Sequence, residues 1–187
     1  VVDASFFDDA VFIGDSVSLR LNYYCQSHSG VLGKAQFLTS GSMGSGNALE
    51  KISESSVHPV YQGEKMLIED GVKASGAKKV FIMLGMNELG WVYESEYAKG
   101  YARIIDVIQS THPDAEIYVQ SIIPVSKWLN NNPEANRGYN TMANVIRLQK
   151  ALVEMVNSKE GVHYVNLPPS MEDNEGYLFS DATEDGL

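Results

Sequence analysis

Short apolar runs alternate along the chain with longer stretches whose apolar residues recur every three to four positions. Ala10 to Ile13 (AVFI) reads as a buried strand, followed by Gly14-Asp15-Ser16 and a helical stretch from Val17 to about Cys25. Ala35 to Ser40 (AQFLTS) predicts a second strand, then a Gly/Ser-rich turn, GSMGSGN, and the short run from Ala48 to Ile52. Glu64 to Ala74 has helical character and stops at Ser75-Gly76, and Lys79 to Leu84 (KVFIML) predicts a third strand. From Glu94 to Ser110 the residues Tyr97, Tyr101, Ile104, Ile105 and Ile108 share one helical face. Glu116 to Ile123 (EIYVQSII) predicts a fourth strand, ended by Pro124, and a polar loop, KWLNNNPEANRG, follows at Lys127. The next helix, near Tyr139 to Asn157, has an apolar face of Met142, Val145, Ile146, Leu152, Val153 and Val156. Val162 to Leu167 (VHYVNL) predicts a fifth strand, and the residues from Pro168 onward have no clear period.

Strands separated by helices imply parallel pairing, because a parallel connection needs a crossover. The expectation is one α/β domain over residues 1–187. Its architecture would be a three-layer α/β/α flavodoxin-like sandwich with a five-stranded parallel sheet in the order 2-1-3-4-5.

Composition narrows the function classes. Lys and Arg total 14 against 24 Asp and Glu, a net charge of −10, with no basic block, so a nucleic-acid surface is not expected. No stretch approaches the roughly 18 apolar residues of a membrane span. The single Cys25 excludes an intrachain disulfide, no Cys/His spacing suggests zinc, and no cofactor is expected. The acidic tail, with Glu172, Asp173, Glu175, Asp181, Glu184 and Asp185, lacks the spacing of a calcium loop and reads as solvated. Beginning Val1-Val2 without Met, the chain reads as a processed or excised piece. A bacterial secreted or envelope setting fits it slightly better than a cytoplasmic one.

In an open parallel sheet, ligands sit beyond the carboxyl ends of the strands. Ser16, after the first strand, falls where unpaired helix N–H groups favour negative charge, and reads either as an N-cap or as a nucleophile. Asn87, after the third strand, either caps the following segment or donates a hydrogen bond across the crevice to the neighbourhood of Ser16. Gly41, Gly44 and Gly46 could bring a backbone N–H to the same place.

Together, the FIGDS strand end, the Gly turn after strand two and the LGMNE strand end resemble the SGNH hydrolases, the GDSL esterase/lipase superfamily. The resemblance implies that Ser16 is the nucleophile of a serine ester hydrolase working through an acyl-enzyme. It implies an oxyanion hole from the Ser16 N–H, the Gly44 N–H (with Gly41 the fallback) and the Asn87 amide. Glu88 stands where the family usually has Asp. The family's last motif, D-x-x-H, begins at Asp185-Gly186-Leu187, so the resemblance implies a His just after Leu187, with Asp185 orienting it. His28, His58, His112 and His163 all read as structural or solvated, and without the base the 187 residues should have little activity.

Trp91 and Tyr93 follow strand three and Trp128 follows strand four. They read either as pins for long loops or as substrate-binding aromatics. The implied substrates are small acyl esters, carbohydrate O-acetyl esters or short-chain lipid esters. A non-catalytic glycan-binding module that keeps this fold is the alternative. A flavodoxin-like anion binder ranks third, for want of an extended Gly-rich loop after strand one.

Overall fold

The computed structural model describes residues 2–183 and 186–187. Five strands form one parallel sheet: β1 (Ala10–Gly14), β2 (Gln36–Thr39), β5 (Lys79–Met83), β6 (Glu116–Gln120) and β7 (Val162–Val165), in the order β2-β1-β5-β6-β7. Numbered among themselves, they run 2-1-3-4-5, as the sequence pattern predicts. Gly14 pairs with Thr39 on one side and Met83 on the other, so β2, β1 and β5 end level. The residues that follow them therefore emerge together at one edge of the sheet.

Alternation along the strands sorts side chains onto two faces. Val11, Ile13, Val80, Ile82, Ile117 and Val119 enter the larger core, beneath α2 (Ile68–Ser75), α3 (Glu94–Thr111) and α6 (Met142–Asn157). The opposite face is an aromatic ladder. Phe37 stacks on Phe12, Phe12 on Phe81 at 4.8 Å between ring centres, Phe81 on Tyr118 at 4.7 Å, and Tyr118 on His163. The 3-10 turn Ala4–Phe7 packs Phe6 and Phe7 against this face, and α1 (Ser16–Ser27) flanks Phe37.

Residues 64 and 65 depart from the helical expectation. They form β4 (Glu64–Lys65), which pairs with β3 (Val60–Tyr61) as a hairpin. The Gln62-Gly63 turn sets this, since both residues have positive φ, at 52° and 88°, a geometry that closes two-residue hairpins. The helix starts only at Ile68. The loop from Lys127 holds two short helices, α4 (Lys127–Asn130) and α5 (Pro133–Asn136), capped by the side chains of Ser126 and Asn132. Among the described residues, no helix is long and apolar enough to cross a membrane.

Candidate functional site

At the end of β1 the chain turns sharply into α1. A Cβ on Gly14 would stand 2.1 Å from Ser18 Oγ and 2.7 Å from the Met83 carbonyl oxygen, so only glycine lets the helix start this close to β5. Two adjacent residues here, Asp15 and Ser16, have N-cap chemistry. Asp15 takes the cap: its Oδ1 accepts the Val17 N–H at 3.0 Å. Ser16 is thereby left as the first helical residue. Neither its Oγ nor its N–H has a hydrogen-bond partner among the described residues. Sequence alone cannot choose between two capping residues side by side; the structure leaves the hydroxyl uncommitted.

Asp15 is buried, with 1% exposure, and its Oδ2 has no hydrogen-bond partner among the described residues. Burial pushes its pKa up to about 6; the nearby Glu88 adds to the rise, and the Val17 N–H opposes it. Two phenols serve the backbone where β5 stops. Tyr97 Oη donates to the Leu84 carbonyl at 2.8 Å, and Tyr101 Oη accepts the Leu84 N–H at 3.1 Å. Burial raises both phenols above their ordinary range, so they remain neutral hydrogen-bonding groups.

Asn87 lies inside the 3-10 turn Met86–Glu88, whose N-cap is Gly85, so it does not cap that turn. Its Nδ2 donates to the carbonyls of Gly41 at 3.1 Å and Met43 at 3.0 Å, tying the loop after β2 to the loop after β5. Glu88 makes a second tie, accepting the Ser45 N–H at 2.9 Å and the Ser45 hydroxyl at 2.6 Å. Its pKa is raised, mainly by burial, against the pull of those bonds. The Gly44 N–H donates to Asn47 Oδ1 at 2.9 Å.

Ser16 opens onto a cleft of about 420 Å³ lined also by Arg20, Met86, Asn87, Trp91, Arg137 and Leu187, among others. Gly44 lines a neighbouring cavity of about 650 Å³ that shares Asn87 and Trp91 with the first. The Trp91 indole N–H donates to the Asn87 carbonyl at 2.8 Å, so the ring stands between the two cavities, 64% exposed. Trp128 lies in a third cleft, beside Asp173, Phe179 and Thr183. Tyr93 is exposed at the start of α3.

Asp185 lies outside the described residues. Its neighbour Gly186 is firmly placed: its carbonyl accepts the Ser126 N–H at 2.9 Å and its N–H donates to Thr183 Oγ1 at 3.0 Å. With φ at 89°, and Leu129 Cβ only 2.6 Å from where its own Cβ would stand, this position requires glycine. Leu187 is thus delivered into the Ser16 cleft. The four histidines stand elsewhere. His28 ends α1 against Tyr24, and His58 bonds Ser56 and the Glu50 carbonyl. His112 ends α3, and His163 sits in β7. Among the described residues, no group of three or more His, Cys, Asp or Glu gathers to hold a metal ion.

The sequence reading missed Arg137 in the cleft lining, the Gly186 anchor and the Glu88–Ser45 tie. Only Asn136-Arg137-Gly138, a turn-forming tripeptide, carried a local signal.

These features agree with comparison to known proteins. The chain belongs to the GDSL-like Lipase/Acylhydrolase family, whose sequence profile matches residues 45–187, and the family assigns it to the acyl and ester hydrolases. The Asp15-Ser16 turn precedes the matched span. Among solved structures, a protein from Streptococcus pneumonia described as a platelet activating factor superposes with a TM-score of 0.69 at 21% identity, over 100% of this chain and 77% of that one. A GDSL-like lipase from Bacteroides thetaiotaomicron gives 0.68 at 15% identity, over 96% and 78%. A family 3 carbohydrate esterase from Talaromyces cellulolyticus gives 0.54 at 14%, over 92% and 88%. At these identities the likeness is one of fold. No curated protein matches the chain in sequence.

Proposed function

We propose that the protein is a serine ester hydrolase with Ser16 as nucleophile, acting on small acyl esters of polar alcohols, such as acetylated sugars. The observation that carries this reading is the uncommitted Ser16 hydroxyl at the first position of a 12-residue helix, in one cleft with Asn87. Attack on the ester carbonyl would place negative charge beside the free Ser16 N–H, where the helix terminus already favours it. The Asn87 amide is the second donor, and would first have to release the Gly41 or Met43 carbonyl. The Gly44 N–H is the third, and would first have to leave Asn47 Oδ1. Apo sites often hold such donors on internal partners until the substrate arrives.

The base is proposed to be a histidine following Leu187, with Asp185 orienting it. The reading is supported by the anchoring of Gly186 to Ser126 and by Leu187 in the Ser16 cleft. The histidine would take the Ser16 proton, return it to the leaving alcohol, and then activate water to release the acyl group. The exposed Trp91 indole lining the cleft supports a second reading, a non-catalytic glycan-binding module with the same fold.

Fluorophosphonate labelling of the full-length protein, paired with a p-nitrophenyl ester series of increasing acyl length, separates the two. Hydrolysis fastest for acetate, and labelling lost in Ser16→Ala, are expected. Labelling that survives Ser16→Ala, or no hydrolysis of any ester, would overturn the nucleophile assignment. Replacing the residue after Leu187 should cost on the order of 10⁶ in kcat if it is the base.

A further inference from the structure

The chain carries a net charge of −10, yet two arginines, Arg20 and Arg137, line the cleft around Ser16, and Arg20 has an interaction partner of its own. Arg20 lies one turn beyond Ser16 on α1, on the same face. Arg137 comes from a different element, the turn after α5, and its backbone is unusual.

Arg137 has φ at 53°, in the left-handed region, where a residue with a side chain is strained. The neighbouring structure enforces this conformation. Asn136 is buried at 4% exposure, and its Nδ2 donates to the carbonyls of Leu129 and Asn130 at 3.0 and 2.9 Å. Its Oδ1 accepts the Gly138 N–H at 2.7 Å, closing the turn around Arg137. From the other side, Asn144 Nδ2 donates to the Tyr139 carbonyl at 2.9 Å. Two asparagine side chains thus clamp a strained turn whose exposed residue, Arg137, lines the Ser16 cleft.

Among the described residues the Arg137 guanidinium has no ion-pair or hydrogen-bond partner. Holding an unpaired guanidinium on a rigid, strained turn beside a nucleophile serves recognition of an anion, because its donor fork matches a carboxylate or phosphate. We propose that the ester substrate carries an anionic group, carboxylate or phosphate, near the scissile bond, and that Arg137 binds it. This rests on the reading of Ser16 as the nucleophile and adds the charge of the substrate to it.

The test compares three acetate esters in the full-length protein: phenyl acetate, 3-acetoxybenzoate and 3-acetoxyphenyl phosphate. In Arg137→Gln the ratio of kcat/KM for an anionic ester to that for phenyl acetate should fall about tenfold or more. Arg137→Lys should retain part of the preference. Arg137→Gly, which accepts the left-handed backbone without strain, should lose as much as Arg137→Gln, separating charge from turn geometry. The larger of the two anionic effects identifies carboxylate or phosphate. Added salt should narrow the wild-type ratio more than that of Arg137→Gln. Hydrolysis through Ser16 with the same ratio in wild type and Arg137→Gln would overturn the anion proposal alone. Failure to hydrolyse any of the three would overturn the Ser16 reading as well.

Discussion

The two cavities that meet at Asn87 and Trp91 are built differently. The larger, on the Gly44 side, mixes Glu50, Glu88 and Glu96 with Lys99 and Arg103, and its wall is fastened by the Glu88–Ser45 bonds. The smaller, on the Ser16 side, has arginines and amides among its described lining residues, and its hydroxyl is left without a partner. On the first side carboxylates fasten loops together; on the second the Ser16 hydroxyl and the Arg137 guanidinium have no partner among the described residues. The half-buried Ser16 hydroxyl, without a partner among the described residues and beside the amide both cavities share, is the group on which the proposed chemistry rests.

Asn87 and Trp91 belong to both cavities, and of the two, replacing Asn87 gives the larger expected effect. As an oxyanion donor its loss should lower kcat by about 10²–10³, with KM little changed. As a tie alone, its loss would free the Gly41 and Met43 carbonyls and lower stability while sparing kcat. Steady-state kinetics and urea unfolding of Asn87→Ala, measured together, decide between these. A kcat within threefold of wild type would remove Asn87 from the oxyanion hole and leave only the structural role.

The next effect concerns the two carboxyls beneath the cavities. Asp15 has a pKa raised from 3.8 to about 6 in the fold. A raised acid binds its proton more tightly when folded. Its contribution is therefore complete below its unfolded value and is lost as pH climbs through about 6. The shift corresponds to about 3 kcal/mol of stability lost between acid and neutral pH. Glu88 is raised as well and acts in the same direction. Asp15→Asn keeps an oxygen for the Val17 N–H and cannot ionise, so its unfolding free energy should vary less over that interval. Urea unfolding at several pH values checks this, and parallel profiles for wild type and Asp15→Asn would contradict the burial account.

How far these features were legible depends on their physical origin. The five parallel strands and their order follow from apolar runs and crossover logic, and the structure has them. The hairpin at β3 and β4 escaped because its four paired residues are too few to establish a period, and Gln62-Gly63 is a weaker turn signal than Asn-Gly. Ser16 and Asn87 stood out through family resemblance. That Asp15 rather than Ser16 caps α1 depends on backbone direction, which composition does not encode. Arg137 was invisible for a related reason: nothing in Asn-Arg-Gly says which residue turns left-handed, or that the turn faces α1 across a cleft.

The smallest expected effect falls on Trp91, and it sharpens the contrast between the cavities most directly. The indole is 64% exposed, so Trp91→Ala should change folding stability by less than about 1 kcal/mol. Stacking on a sugar ring would be lost, raising KM for an acetylated sugar roughly threefold to tenfold while leaving a p-nitrophenyl ester nearly unaffected. Trp91→Phe keeps an aromatic face and loses only the N–H to the Asn87 carbonyl. If Trp91→Phe behaves as wild type, the ring is a substrate platform and the two cavities serve one extended ligand. If Trp91→Phe instead matches Trp91→Ala and lowers kcat for both substrates, the indole acts through Asn87. Trp91 would then belong with the loop ties of the larger cavity rather than with the open groups around Ser16.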